Sequence, residues 1–350
     1  MVTAKPTPQR KQHPGAGETD RPSALLSPKE LLQWYRTMTL ARALSERIWL
    51  LNRQGKVHLA ITCQGHEAAQ IGSAAAVRAG LDVCLPYYRD MAVMLALGMP
   101  ARVIMLNAFG KRDDPNGGGR QMPGHWSWPE KRVLTLSSPV ATQIPHAAGM
   151  ALAAKLRGEP GAIIVYFGDG ATSRGDFHEG LNFAAIHKLP VVFFCENNGY
   201  AISVPYRLQT ATPTIAEKAA AYGMPGVTVD GRDPLAVYDA TVQALGRTRR
   251  GGGPSLVEAK VARLTPHTSN DDEARYRSLE EREQAKNHDP VPWFRDYLTR
   301  REVLDDSSTS AIQRSVEEEV EDATRFAEQS PDPDPTDLPR HVFFTPEVRP

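Results

Sequence analysis

The chain has 350 residues, 41% of them hydrophobic, which allows one large α/β domain or two ordinary ones around a packed core. Lysine plus arginine and aspartate plus glutamate both total 41, and this neutral balance argues against a nucleic-acid surface or a polybasic membrane binder. Cys63, Cys84 and Cys195 form no C-x-x-C pair and leave an odd count, so nothing implies a disulfide framework or a zinc site, and a reducing cytoplasm is the expected compartment.

Residues 1–24 are rich in Pro, Lys, Arg, Gln and Gly and lack an apolar h-region, so they read as a disordered tail, not a secretory signal. Their basic residues would permit a transit peptide, which Glu18 and Asp20 weaken. No apolar run approaches the roughly eighteen residues of a membrane span. Ser27-Pro28-Lys29-Glu30 is a capping box with proline at the first helical position, and it predicts a helix through about Asn52. Small residues between His66 and Val77 predict a helix packed closely on a neighbour, and Asp90 to Leu97 reads as another. Gly110 to Pro129, with many glycines and prolines and two tryptophans, is too long for an ordinary turn.

From Val133 the pattern alternates. Strands are expected at Val133–Leu136, Ala162–Phe167, Val191–Cys195, Gly226–Val229 and Ser255–Val261, with helices at Gln143–Leu156, Asp176–His187 and Pro234–Arg249. Such alternation indicates a mostly parallel sheet covered by helices on both faces. A charged helix, about Ser310 to Glu328, closes a single domain over residues 25–330 with helical N- and C-terminal extensions, and 331–350 reads as an extended tail.

One segment carries the chemistry. Gly168-Asp169-Gly170 ends one apolar run, and Glu196-Asn197-Asn198-Gly199 ends the next, one strand–helix–strand unit later. Neighbouring strand ends in a parallel sheet meet at the edge where ligands bind. A carboxylate and a carboxamide there suit Mg²⁺, which takes few protein ligands and completes its octahedron with phosphate and water. Gly168-Asp169-Gly170 is not a dinucleotide fingerprint, because Ser173 stands where G-x-G-x-x-G needs glycine. His66-Glu67 and His178-Glu179 are not H-E-x-x-H, since Gln70 and Asn182 replace the second histidine.

Gly168 to Asn198 resembles the diphosphate–metal motif of thiamine diphosphate enzymes. With Gln64–Val77, Leu85–Asp90, Gly119–Gly124, Leu136–Ala148, Gly168–Ser203 and Pro266–Tyr276, the chain resembles the alpha subunit of two-subunit 2-oxo acid dehydrogenases over roughly residues 30–330. Gly118 to His125 (GGRQMPGH) and Ser137 to Pro145 (SSPVATQIP) are more similar to the branched-chain subfamily than to pyruvate dehydrogenase alpha subunits. A pyruvate or acetoin dehydrogenase, a direct NAD enzyme and a degenerate scaffold subunit are the rival readings.

The resemblance implies the thiamine diphosphate-binding fold and a role for each matching residue. Asp169 and Asn198 would ligate Mg²⁺ through side chains and Tyr200 through its carbonyl, while Gly168, Gly170 and Ala171 would face the phosphates with backbone groups. Tyr88 and Arg89 would hold the diphosphate, although Arg89 could instead pair with Asp90. Ser138 and Val140 would line the cofactor's ring pocket, and Ser137, Thr142 and Gln143 match a monovalent-cation site of some relatives. His267 would be the catalytic histidine, an imidazole titrating near neutrality, with His125, His66 and His146 as further candidates. Two departures stand out: Glu196 stands where some relatives have a phosphate-contacting arginine, and Thr268, followed by Ser269, stands where some carry a phosphorylated serine. The glutamate that activates the cofactor's pyrimidine comes, in this family, from a beta subunit. The chain is therefore expected to act only as two alpha plus two beta subunits, passing an acyl group to a lipoyl-bearing acyltransferase component.

Overall fold

A computed structural model describes residues 21–340 and 342; most of the tail expected at 1–24 lies outside the described residues. Pro22–Leu25 forms a single 3-10 turn, tied down where Ser23 donates from its backbone N and its hydroxyl to the Asp239 carboxylate, both at 2.7 Å. This turn overlaps the last residues of the tail expected at 1–24.

Helix α1 (Pro28–Arg53) starts at the expected capping box, with the Ser27 and Glu30 side chains each bonded to the other's backbone N–H. Helix α2 (Glu67–Ala75) is buried along its length. A Cβ on Gly72 would lie 2.4 Å from Pro234 O, so the close packing anticipated for this small-residue segment is real. Strand β1 (Val83–Leu85) was not among the expected elements, and α3 (Met91–Ala96) was. Helix α4 (Ala101–Phe109) was not, although Pro100 precedes it and Gly110 closes it in the left-handed region at φ 67°.

The expected strand Val133–Leu136 is reduced to a bridge. Only Val133 pairs, with Cys84 on one side and Trp128 on the other. The chain then turns through Ser137-Ser138-Pro139, and no further ladder forms at that edge.

Helix α5 (Gln143–Arg157), β2 (Ile163–Gly168), α6 (Gly175–Ile186) and β3 (Val191–Asn197) follow as anticipated. A small hairpin, β4 (Tyr200–Ala201) with β5 (Val204–Pro205), leads to β6 (Gly226–Asp230), α7 (Pro234–Arg249) and β7 (Ser255–Lys260). Helices α8 (Leu279–Lys286) and α9 (Pro290–Arg300) lie outside the expected set, and α10 (Asp306–Gln329) begins earlier than Ser310 because Asp305 caps it.

The main sheet is parallel throughout, in the order β1-β2-β3-β7-β6. Alternate residues of β3 explain its two cores. Val192 and Phe194 pack with α1, α2, α7 and α9, whereas Val191, Phe193 and Cys195 pack with α5 and α6. All three cysteines are free and buried. Residues 331–333 run along the long loop: Arg112 N donates to Pro331 O at 3.0 Å, and Lys111 pairs with Asp332 at 2.8 Å. No helix among the described residues is long and apolar enough to cross a membrane.

Candidate active site

Strands β2 and β3 lie side by side, with Gly168 opposite Glu196. Their C-terminal ends therefore deliver Asp169 and Asn198 to one place, and Asn198 N donates to Asp169 Oδ1 at 3.3 Å. Around them opens a cavity of about 270 Å³. Every predicted cofactor residue lines it: Tyr88, Arg89, Ser138, Val140, Gly168, Asp169, Gly170, Ala171, Asn198, Tyr200 and His267. Ser137 and Gln143 also line it, while Thr142 bonds to Ser137 from outside. Tyr87, Ala141, Phe167, Ala201 and Ile202 complete the wall without having been anticipated.

Asp169 opens a turn of 3-10 helix after β2. Burial pushes its carboxyl above the usual range, against hydrogen bonds from Gln209 and from backbone N–H groups. Among the described residues no salt bridge reaches Asp169; the hydrogen bonds it accepts from other residues come from Gln209 Nε2 and Asn198 N. A Cβ on Gly170 would sit 2.8 Å from Ala201 Cβ, so the backbone packs against the β4 hairpin in a way only glycine permits. Ile202 turns that hairpin at φ 57°, a costly conformation for a β-branched residue, and Arg263 Nη2 holds its carbonyl at 3.1 Å.

Arg89 is 2% exposed. Its Nη1 donates to Thr62 O at 2.7 Å and its Nη2 to His267 O at 3.2 Å, with His267 Nδ1 3.3 Å away. The alternative Arg89–Asp90 pair does not form: Asp90 accepts instead from Tyr87 N at 2.7 Å and from Gln70 Nε2 at 3.3 Å. The guanidinium thus lines the cavity with no carboxylate partner among the described residues, which suits an anionic ligand.

His267 does not titrate near neutrality in this cavity. Burial, then Arg89 and Arg263, press it down to about 3, so the imidazole is neutral at physiological pH. With Nδ1 accepting from Arg89, the hydrogen resides on Nε2. The loop that carries it is tied by His267 N donating to Asp271 Oδ2 at 2.8 Å and by Tyr276 OH donating to the same carboxylate.

The other histidines divide. His125 Nε2 meets Ser138 Oγ at 2.7 Å, His146 is exposed on α5, and His66 is fully buried beneath the cavity. Glu196 also departs from expectation. It lies on the α2 face of β3, is 0% exposed, and accepts from Gln70 Nε2 at 3.0 Å and Tyr87 OH at 3.2 Å, with His66 Nδ1 at 2.6 Å. Its carboxyl group is turned into the core and does not line the cavity.

Gln209 was missed altogether. Its Nε2 donates to Asp169 Oδ2 at 2.8 Å, and nothing in its neighbourhood of the sequence marks it.

The family model described as "Dehydrogenase E1 component" matches residues 35–336. The chain belongs to the dehydrogenase E1 component family. Among curated members of related sequence, it is 52% identical over 314 residues to the 2-oxoisovalerate dehydrogenase subunit alpha of Bacillus subtilis, covering 89% of this chain and 95% of that one. It is 41% identical over 304 residues to the 3-methyl-2-oxobutanoate dehydrogenase subunit alpha of Mycobacterium tuberculosis, with coverages of 85% and 79%. The mitochondrial 2-oxoisovalerate dehydrogenase subunit alpha of Homo sapiens is 37% identical over 333 residues, with coverages of 93% and 74%. As a dehydrogenase E1 component, the chain has the α/β fold expected of it, with a mostly parallel sheet between helical layers.

Proposed function

We propose that this chain is the alpha subunit of a branched-chain 2-oxo acid dehydrogenase, working with a beta subunit and thiamine diphosphate. One observation carries the reading. A single cavity gathers a buried carboxylate, Asp169, and a buried guanidinium, Arg89, and among the described residues neither has an oppositely charged salt-bridge partner. That pairing fits a metal–diphosphate group, whose cation and anion complement the two. The names of the relatives favour branched-chain substrates over pyruvate or acetoin.

Thiamine diphosphate, when bound, supplies a ylid and an electron sink. Asp169, Asn198 and the Tyr200 carbonyl would hold Mg²⁺, a donor set of hard oxygens that leaves positions for phosphate and water. Backbone groups of Gly168, Gly170 and Ala171, with Tyr88 and Arg89, would hold the diphosphate, and Ser138 and Val140 would flank the rings. The Ser137 and Thr142 hydroxyls sit together beside Pro139 O, at 3.2 and 2.9 Å, an arrangement consistent with a monovalent cation. Gln143 bonds Tyr166 O at 2.9 Å and keeps its Oε1 buried and free to accept.

His267, neutral with its hydrogen on Nε2, acts first as a donor to developing charge on the substrate. Among the described residues no glutamate lines the cavity, which fits a beta subunit as the source of the pyrimidine-activating carboxylate. The second component's lipoyl group would be the acceptor of the acyl group.

The test is reconstitution. The alpha and beta subunits together, with Mg²⁺ and thiamine diphosphate, should give a higher kcat/KM for 3-methyl-2-oxobutanoate than for pyruvate. Activity of the purified chain alone on a 2-oxo acid with an artificial electron acceptor would refute the reading.

A further inference from the structure

Glu196, His66 and Asn198 form a chain of contacts leading out of the core to the cavity wall. His66 is 0% exposed, with Nδ1 2.6 Å from Glu196 Oε2 and Nε2 3.4 Å from Asn198 Nδ2. Glu196 Oε2 already receives hydrogens from Gln70 Nε2 and Tyr87 OH, so it serves as an acceptor and His66 Nδ1 carries the hydrogen. The atom that faces His66 Nε2 is the amide nitrogen of Asn198, not its oxygen. An amide nitrogen can only donate, so Nε2 is the acceptor of that contact. On the other side Asn198 Oδ1 accepts from Tyr200 N at 3.1 Å and keeps a lone pair to spare, on a residue that lines the cavity.

We infer that His66 is a positioning residue: through a tautomer set by Glu196, it fixes which way round the Asn198 carboxamide sits and so presents Oδ1 to a hard cation. This rests on the proposed Mg²⁺–diphosphate reading of the cavity. It also gives the Glu196 departure a role. A carboxylate at the end of β3 is directed inward by the strand's alternation, where it orients the metal ligand two residues later instead of touching phosphate. Outer partners of this kind tune affinity because a flipped amide would turn its N–H₂ toward the cation.

Two isosteres separate orientation from filling. His66→Asn keeps a donor at the Nδ1 position facing Glu196 and places nothing at Nε2. His66→Gln brings a side-chain oxygen to the Nε2 position, where it can accept from Asn198. The assembled alpha and beta subunits are titrated with Mg²⁺ by calorimetry at saturating thiamine diphosphate, with the melting temperature of each variant recorded. His66→Asn should weaken Mg²⁺ binding by about tenfold or more, and His66→Gln should stay within roughly threefold of wild type. In an Asn198→Asp background, where a symmetric carboxylate has no wrong way round, His66→Asn should change the affinity by less than about threefold.

Wild-type-like affinity in both single variants, a greater loss for His66→Gln than for His66→Asn, or an undiminished loss in the Asn198→Asp background would overturn the inference. If wild-type protein binds thiamine diphosphate without any Mg²⁺ dependence, the proposed function fails instead, and the two failures are told apart.

Discussion

Gln209 reaches across 40 residues of sequence to place its Nε2 2.8 Å from Asp169 Oδ2, while the same nitrogen lies 2.9 Å from Val204 O. One amide thus ties the carboxylate at the end of β2 to the hairpin that follows Asn198. Of the hydrogen bonds that oppose the effect of burial on Asp169, this one contributes most. Replacing Gln209 with leucine removes it without adding charge. Mg²⁺-dependent binding of thiamine diphosphate, followed by calorimetry, should weaken by about tenfold, as for other outer partners of metal ligands. Unchanged affinity would mean that the contact is incidental.

Arg89 binds Thr62 O with one terminal nitrogen and the His267 backbone with the other. Lysine keeps the charge but cannot make both contacts. Arg89→Lys should therefore lose roughly 2 kcal/mol, about thirtyfold, in apparent affinity for thiamine diphosphate. Fluorescence titration of the reconstituted enzyme would measure it. A loss of less than threefold would assign the diphosphate to other groups.

The depression of His267 has a consequence for stability. Its imidazole titrates at about 3 in the fold against 6.5 unfolded, so between those values the unfolded chain binds the extra proton. Stability from this residue is present above about pH 6.5 and is lost on acidification. Between pH 7 and pH 5 the loss is about 1.5 pH units' worth, roughly 2 kcal/mol. His267→Gln cannot take up the proton, so in urea denaturation its stability should fall by that much less over the same interval. Parallel pH profiles for the two proteins would show that the histidine is not held neutral.

Helix α9 docks through Phe294 and Leu298, both 0% exposed, into the core that also receives α1. Phe294→Ala should destabilise the fold by about 3–5 kcal/mol, read from the urea midpoint of the alpha subunit. A shift worth less than about 1 kcal/mol would show that the helix is not part of the cooperative unit.

Helix α9 also shows why some elements were legible and others were not. Asp289 caps it and Pro290 begins it, yet its polar stretches hide a narrow apolar stripe that only a partner helix completes. Helix α4 carried a proline before it and a glycine after it, a start and stop signal that deserved a helix assignment. Strand β1 is three residues long, too short to display any period. The β2–α6–β3 unit was plain, because two buried apolar runs flank an amphipathic stretch at the usual spacing.

For the site, local sequence was enough to determine that Asp169 and Asn198 leave adjacent strand ends, since chain order and right-handed crossover dictate it. Residue identity also marked Arg89 and His267 as candidates for an anionic cofactor. Only the tertiary structure decided how these groups behave. Arg89 was placed beside His267 and away from Asp90, and Glu196 was turned inward onto His66 by the alternation of β3. Such contacts join residues distant in sequence, where no local pattern records them. The neutral state of His267 likewise arises from burial and from the guanidinium of Arg89, brought in by a distant loop, together with that of Arg263 in its own loop. Spacing along the chain sets which backbone segments meet, but the environment of each charge is a property of the packed molecule.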